Sequence, residues 1–191
     1  MNARDHRPLP SRLVVVPGLH GSGEGHWQGW LHAQIDGSVR VEQDFWSVPD
    51  IERWADRIAE TVDALGPGPH VVVAHSFGCL ASLHAAARYP ALGIAQMLLV
   101  APAEPARFGV AGLLPQAPLA MPTCVVASDD DPWMPSTQAR AWARLWGSDW
   151  VNLGNAGHVN VASGHGPFPL AREWAAAALN RLDARRWRSA A

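Results

Sequence analysis

Short apolar runs rich in Val alternate with segments of helical periodicity along the whole chain, and this alternation restricts the fold more than any other feature. Because the runs contain few polar residues, they are typical of strands buried on both faces of a parallel sheet. The predicted class is therefore α/β, a compact fold with a mostly parallel sheet of about six strands and right-handed crossovers. Strands are predicted at Leu13–Val16, Val39–Val41, Val71–Ala74, Met97–Val100, Thr123–Ala127 and Trp150–Leu153. Helices are predicted at Trp27–Ile35, Ile51–Leu65, Phe77–Arg88, Thr137–Trp146 and Leu170–Leu182.

The 191 residues fit a single domain, and no internal repeat or linker divides them. Residues 1–11 and 184–191 are predicted to be flexible tails. The segment Pro102–Pro122 is rich in Pro and Gly and lacks clear periodicity. It is predicted to form either an irregular excursion over the sheet or a small lid.

All 15 side chains counted together as Lys and Arg are Arg, so the chain contains no Lys. This absence excludes pyridoxal enzymes and lysine aldolases, which need an amine for a Schiff base. It also excludes P-loop proteins, protein kinases and Ser-Lys hydrolytic dyads. The net charge of -2 gives no electrostatic attraction to nucleic acid or to an anionic membrane, so neither is expected as a partner.

Cysteine content and hydropathy bear on the compartment. Two cysteines, Cys79 and Cys124, are too few for the disulfide framework of a secreted protein. Residues 1–12 lack the apolar segment of a signal peptide, and no apolar run approaches the roughly 18 residues of a membrane span. A cytoplasmic protein is expected, either a monomer or a weak homodimer.

A sharp turn with a central Ser follows the third predicted strand. The sequence Ala74-His75-Ser76-Phe77-Gly78 is a variant of G-x-S-x-G in which Ala replaces the first Gly. In such an elbow the nucleophile lies on a strained backbone, so the residues two before and two after it must be small. The start of the following helix adds free N–H groups and a positive dipole beside Ser76. Ser76 is therefore predicted to be a nucleophile.

A glycine-rich loop, residues 17–27, follows the first predicted strand and has two interpretations. In the first, the backbone N–H of Leu19, or of His20 next to it, forms an oxyanion hole with the N–H of Phe77. In the second, the loop binds a dinucleotide phosphate, with Glu42 on the ribose. The glycine spacing differs from G-x-G-x-x-G, and a Tyr-Lys dehydrogenase is impossible without Lys, so the oxyanion hole is favoured. A structural turn without a ligand is a third interpretation.

Acidic residues and a His follow the last two predicted strands. Asp129, Asp130 and Asp131 are consecutive, and periodicity does not indicate which one would orient a His. His158 lies between Gly157 and an apolar residue after the last strand, where a general base would be well placed. His165 competes with it but lies farther from the strand end. The order Ser, Asp, His matches that of α/β-hydrolases. No metal motif such as H-E-x-x-H or C-x-x-C is present, so neither a metal nor another cofactor is expected.

Taken together, these residues resemble the small capless α/β-hydrolases, the serine hydrolase family that includes retinoblastoma-binding protein 9 and its bacterial relatives. The resemblance covers most of the chain and implies a three-layer α/β-hydrolase fold without a large cap domain. By this resemblance the catalytic residues are Ser76, His158 and the Asp directly before Pro, which is Asp131. The matching stretches are V-V-V-P-G-L-H-G-S-G-E-G-H-W-Q at 14–28, V-V-V-A-H-S-F-G-C at 71–79, S-D-D-D-P-W-M-P at 128–135 and G-H-V-N at 157–160.

These observations predict a serine hydrolase that cleaves a small carboxylic ester, or a thioester or amide, through an acyl-enzyme. His20, His75, Trp133 and Met134 are expected to line the substrate pocket, whereas Cys79 is expected in the core. An acyltransferase would use the same residues. The main alternative is a weakly active or inactive protein with this fold that binds a protein partner.

Overall fold

The computed structural model describes residues 11–190 and shows a single sheet with helices on both faces. Its strands are β1 Arg12–Val16, β2 Val39–Arg40, β3 His70–His75, β4 Ile94–Val100, β5 Thr123–Ala127 and β6 Asp149–Asn152. Its helices are α1 Trp27–Gln34, α2 Ile51–Ala64, α3 Phe77–Arg88, α4 Ser136–Trp146 and α5 Pro169–Ala190. The predicted alternation of strands and helices is confirmed.

The sheet has the order β2-β1-β3-β4-β5-β6, and every neighbouring pair is parallel. The strand order reverses between β1 and β3, which in open α/β sheets marks the place where ligands bind. Val16 at the end of β1 lies in register with Ala74 of β3, so the loops that follow these two strands leave the sheet side by side. Likewise Ala127 of β5 lies in register with Asn152 of β6.

Alternate residues of the central strands face opposite layers, as the pleat requires. Val14 and Val16 of β1 belong to a buried cluster with α2, α3 and α4, whereas Leu13 and Val15 pack with α1 and α5. The face of α5 that contacts the sheet carries Ala at 171, 175 and 178, and these small side chains allow a close approach. The predicted three-layer α/β architecture is thus confirmed.

The last helix and the Pro-rich segment differ in detail from expectation. Helix α5 extends to Ala190, eight residues beyond the predicted end at Leu182, so 184–190 are helical where a tail was predicted. The other predicted tail lies, except for Ser11, outside the described residues. The segment 102–122 contains two short 3₁₀ turns, Pro105–Phe108 and Ala111–Leu113, and buries Val110 and Leu114. It is an irregular excursion packed on the α2–α3 side of the core.

Length and hydropathy decide whether a helix can span a membrane. Between residues 11 and 190, no helix combines the length and the apolar character needed to cross a bilayer.

Candidate active site

Ser76 is the single residue between the end of β3 and the start of α3, and its backbone conformation is strained. Its φ of 53° and ψ of −126° lie outside the regions that non-glycine residues ordinarily adopt. The hydroxyl makes no capping bond to α3, so it is free for another partner. The main-chain N–H of Ser76 donates to the carbonyl of Val100 on β4 at 3.1 Å, which ties the turn to the sheet. This geometry is that of the predicted nucleophile elbow.

Two glycines allow the glycine-rich loop to lie directly against this elbow. A Cβ on Gly18 would lie 2.7 Å from Cβ of Ser76, and a Cβ on Gly78 would lie 2.2 Å from the carbonyl oxygen of Pro17. Neither position therefore tolerates a side chain without displacement of backbone. The close contact holds the glycine-rich loop against Ser76, at the point where the strand order reverses.

A hydrogen-bonded chain joins Ser76, His158 and Asp131. His158 Nε2 lies 2.9 Å from Ser76 Oγ, and Nδ1 lies 2.9 Å from each carboxylate oxygen of Asp131. The side chains of His158 and Asp131 are only 8% and 3% exposed. Because a carboxylate accepts hydrogen bonds, it holds the proton of the neutral ring on Nδ1 and leaves Nε2 free to accept from Ser76.

The other two acids of the Asp129–Asp131 run have separate partners. Asp129 accepts from the side-chain amide of Asn152 at 2.9 Å. Asp130 accepts from the Ser128 hydroxyl and from the N–H of Gly157, each at 2.7 Å, and these bonds lower the pKa of Asp130. The structure thus distinguishes three acids that periodicity left equivalent.

His165, the competing base in the sequence, packs edge-on against Phe168 at a centroid distance of 6.0 Å. The histidine that contacts the Ser76 hydroxyl is His158.

Two backbone N–H groups beside Ser76 are available to a ligand. Among the hydrogen bonds of residues 11–190, none uses the N–H of Leu19 or of Phe77. The N–H of His20 instead donates to the carbonyl of Trp46 at 2.9 Å. Of the two oxyanion candidates in the glycine-rich loop, only Leu19 therefore has a free donor.

A cavity of about 380 Å³ opens over Ser76 and His158. His20, His75 and Trp133 line it as predicted. Met134 does not, and that prediction is wrong: the side chain is 2% exposed and packs with Ala127 and Ala139 beneath the loop. Met134 directly precedes Pro135, the N-cap of α4, and belongs to the small apolar cluster that includes Ala139 of α4.

Sequence reasoning missed several residues that line the cavity, namely Glu24, His26, Phe108, Asn160 and Val161. Asn160 and Val161 directly follow the His158 motif, and their proximity to the base in sequence could have indicated them. Phe108 belongs to the aperiodic segment, where no pattern identifies a buried side. Its ring lies 4.9 Å from that of Phe77, which places it between the core and the cavity.

Two further histidines lie in a row behind His158. The ring of His75 is 4.9 Å from His158 and 5.0 Å from His26. Burial, reinforced by the neighbouring His158 and His26, holds the pKa of His75 well below its ordinary value. Burial also lowers the pKa of His26 to about 4, and His158 and Arg40 add to this effect. Both rings are therefore neutral near pH 7.

The remaining features of the alternative interpretations have other partners. Glu42, the candidate ribose ligand of a dinucleotide site, forms an ion pair with Arg40. Cys79 is fully buried, and burial raises the pKa of its thiol well above the ordinary value. No group of three or more His, Cys, Asp or Glu side chains suited to a metal ion occurs within 11–190.

Comparisons with known proteins place this geometry in a family. Residues 13–176 match the family described as serine hydrolase. A solved structure described as a YdeN-like hydrolase from Pectobacterium atrosepticum is 36% identical, with a TM-score of 0.80 over 92% of this chain and 90% of that chain. The ydeN gene product of B. subtilis is 20% identical, with a TM-score of 0.72 over 88% of this chain and 98% of that chain.

An esterase, RhEst1 from Rhodococcus sp. ECU1013, is 15% identical, with a TM-score of 0.65 over 91% of each chain, and this likeness shows the fold alone. No curated protein gives a significant match to the sequence. The match over most of the chain and the identity to the YdeN-like hydrolase agree with the resemblance in the motifs. The chain therefore belongs to the serine hydrolase family, among its small α/β-hydrolases.

Proposed function

We propose that the protein hydrolyses a small carboxylic ester, with Ser76 as nucleophile, His158 as general base and acid, and Asp131 as the residue that orients His158. The observation that carries this proposal is the continuous hydrogen-bonded chain from the Asp131 carboxylate through His158 to the Ser76 hydroxyl. The chain ends at a cavity large enough for a small acyl compound. Family membership supports hydrolysis as the reaction class.

Acylation starts when Ser76 Oγ attacks the carbonyl carbon of the ester and His158 Nε2 takes the hydroxyl proton. Asp131 stabilises the imidazolium that results. Collapse of the tetrahedral intermediate breaks the bond to the alcohol, which leaves with the proton from His158. Water then attacks the acyl-enzyme with His158 again as base, which releases the acid and restores the Ser76 hydroxyl.

The negative oxygen of the intermediate would be received by the N–H groups of Leu19 and Phe77. Each such donor is worth about 3 kcal/mol of transition-state stabilisation. The Phe77 N–H also lies in the first turn of α3, where the helix dipole favours negative charge. Both donors belong to backbone fixed by the Gly18 and Gly78 contacts, so little reorganisation accompanies the reaction.

Chemical labelling tests the proposal directly. A fluorophosphonate probe reacts with a serine only when that serine is activated, so wild-type protein should be labelled and should turn over p-nitrophenyl esters. Ser76→Ala should lose both, and His158→Ala should lose labelling. Ser82→Ala is a matched control, since the Ser82 hydroxyl is fully buried and bonded to the carbonyl of Gly78. Full turnover in Ser76→Ala would overturn the assignment.

A thioester is the second substrate class worth testing, because the fold also occurs in the type II thioesterase BorB from the borrelidin biosynthetic cluster. A panel of matched esters and thioesters with graded acyl chains separates the two classes. An acyltransferase would show itself by product formation that depends on an added alcohol or amine. Absence of labelling and turnover in the wild type would favour the protein-binding alternative.

A further inference from the structure

The loop that carries His158 has an unfavourable backbone. Gly157 and Val159, on either side of His158, have φ values of 57° and 47°. Gly adopts such values freely, but for a β-branched residue such as Val a positive φ is a real outlier that persists only where surroundings enforce it. Something other than local preference must therefore hold His158 in place.

Three consecutive residues of this loop each have a main-chain group bound by a side chain from elsewhere. The N–H of Gly157 donates to Asp130 Oδ1 at 2.7 Å. The carbonyl of His158 accepts from His75 Nε2 at 2.9 Å, and the carbonyl of Val159 accepts from the indole N–H of Trp27 at 2.8 Å. Since a carbonyl can only accept, the neutral His75 ring carries its proton on Nε2.

The three side chains come from the start of α1, the end of β3 and the loop after β5, and they are themselves restrained. Trp27 is fully buried, and its ring packs edge-on against His75 at 5.9 Å. His75 is 5% exposed and directly precedes the nucleophile. Asp130 also accepts from the Ser128 hydroxyl, whose oxygen in turn accepts from the N–H of Ala156 at 2.9 Å. The His158 loop is thus bonded to the end of the glycine-rich loop, to the elbow and to residues 128–135 between β5 and α4, the acid loop.

We infer that Trp27, His75 and Asp130 are positioning residues, which keep the His158 imidazole in line between Ser76 and Asp131 by holding the main chain of residues 157–159. The inference rests on the proposed function of His158 as base. The three bonds are made to main-chain atoms and not to reacting atoms. Each side chain therefore affects catalysis indirectly, by holding the His158 loop. A loop released from these bonds would relax toward ordinary φ values and move the ring away from Ser76 Oγ.

Trp27→Phe is the first test, because it removes the indole N–H and keeps an aromatic ring. Trp146→Phe is the matched control, since Trp146 is also buried and donates its indole N–H to a carbonyl, that of Pro115, but packs in a core cluster that does not include the His158 loop. With a p-nitrophenyl ester, Trp27→Phe should lower kcat at least about tenfold, since small misplacements of a catalytic group are costly. KM should stay within about twofold of wild type, and Trp146→Phe should change neither constant by more than that.

A second pair of variants changes residues of the acid loop and leaves the hydrophobic core intact. Asp130→Ala removes the acceptor for the Gly157 N–H, whereas Asp129→Ala removes a neighbouring charge whose partner is Asn152. The kcat of Asp130→Ala should fall several-fold below that of Asp129→Ala. Adding Val159→Gly to Trp27→Phe should restore part of the lost kcat, because Gly adopts a positive φ without strain.

Proton NMR of the resting protein separates this inference from the proposed function. The His158 Nδ1–H, bound to the Asp131 carboxylate, should give a low-field signal in the wild type and in Trp146→Phe. In Trp27→Phe the signal should broaden or disappear through exchange with water. Equal kcat and equal signals in Trp27→Phe and Trp146→Phe would overturn the positioning roles. An unlabelled, inactive wild type would instead overturn the proposed function, and the NMR signal would still test the positioning.

Discussion

His158 Nδ1 lies at the same distance, 2.9 Å, from both carboxylate oxygens of Asp131. One of those oxygens also accepts from the main-chain N–H of Trp133 at 2.8 Å. The carboxylate is thus fixed from two sides, and its side chain is almost fully shielded from water. This arrangement favours one tautomer of His158, with the proton directed to Asp131 and the lone pair of Nε2 directed to Ser76.

Asp131→Asn should therefore reduce kcat by about 10⁴-fold, because an amide can donate to Nδ1 and stabilise the wrong tautomer. Steady-state hydrolysis of a p-nitrophenyl ester measures the effect. Asp129→Asn provides the control, since it makes the same change in the same acid run at a residue bound to Asn152. A drop of the same size in both variants would contradict the assignment of Asp131.

The elements that local rules govern could be predicted from the sequence. The inner strands were recognisable because they are apolar and almost entirely buried, as β3 and β5 are throughout. The elbow was recognisable because a strained Ser needs small neighbours, and Ala74 and Gly78 supply them. His158 could be proposed because the ends of parallel strands share one edge of the sheet.

Features set by tertiary packing could not be predicted. Which of three consecutive Asp side chains meets His158 depends on the turn after β5, so composition and periodicity left the choice open and only the family resemblance indicated Asp131. The position of Met134 was predicted wrongly for the same reason. The path of the chain in that turn decides which side chains face the cavity and which face the core. His26 caps α1 by accepting from the N–H of Gln28, a role that capping preferences assign to Ser, Thr, Asp or Asn.

Gly78→Ala should destabilise the protein because the new Cβ would overlap the backbone of Pro17. Overpacking of this kind costs about 1–3 kcal/mol or more. Gly29→Ala is the matched control in α1, where a Cβ meets no atom within 4 Å. That variant should gain about 0.5–1 kcal/mol, since Ala is the better helix former. Urea unfolding measures both, and a neutral Gly78→Ala would contradict the close contact between the loops.

Phe108→Ala should widen the cavity, because the Phe108 ring lies between the cavity and the ring of Phe77. We expect the ratio of kcat/KM for a hexanoyl ester to that for an acetyl ester to be at least about tenfold higher in Phe108→Ala than in the wild type. This is the discrimination that added methylenes produce in a hydrophobic pocket. Leu113→Ala, in the same segment but 45% exposed, should leave the ratio unchanged. An unchanged ratio in Phe108→Ala would mean that this wall does not contact the acyl chain.

His26 should make the protein less stable in mild acid. Its pKa is lowered from 6.5 to about 4 in the folded protein, chiefly by burial. Between these two pH values His26 is protonated in the unfolded chain but not in the folded protein. The free energy of unfolding therefore falls as the pH drops from about 6.5 to about 4. One such group contributes a slope of at most about 1.4 kcal/mol per pH unit. His75, whose pKa is also lowered, acts in the same direction.

His26→Asn separates this effect from the helix cap. Asn is a good N-cap acceptor for the Gln28 N–H but does not titrate, so the variant should keep its stability near pH 7 and lose stability less steeply below pH 6.5. His26→Ala should show the same shallow slope, but its free energy of unfolding should be about 1 kcal/mol lower than that of His26→Asn at every pH, because the cap is lost. Urea unfolding at a series of pH values measures the slopes. Identical slopes in the wild type and His26→Asn would show that His26 takes up its proton equally in the folded and unfolded states.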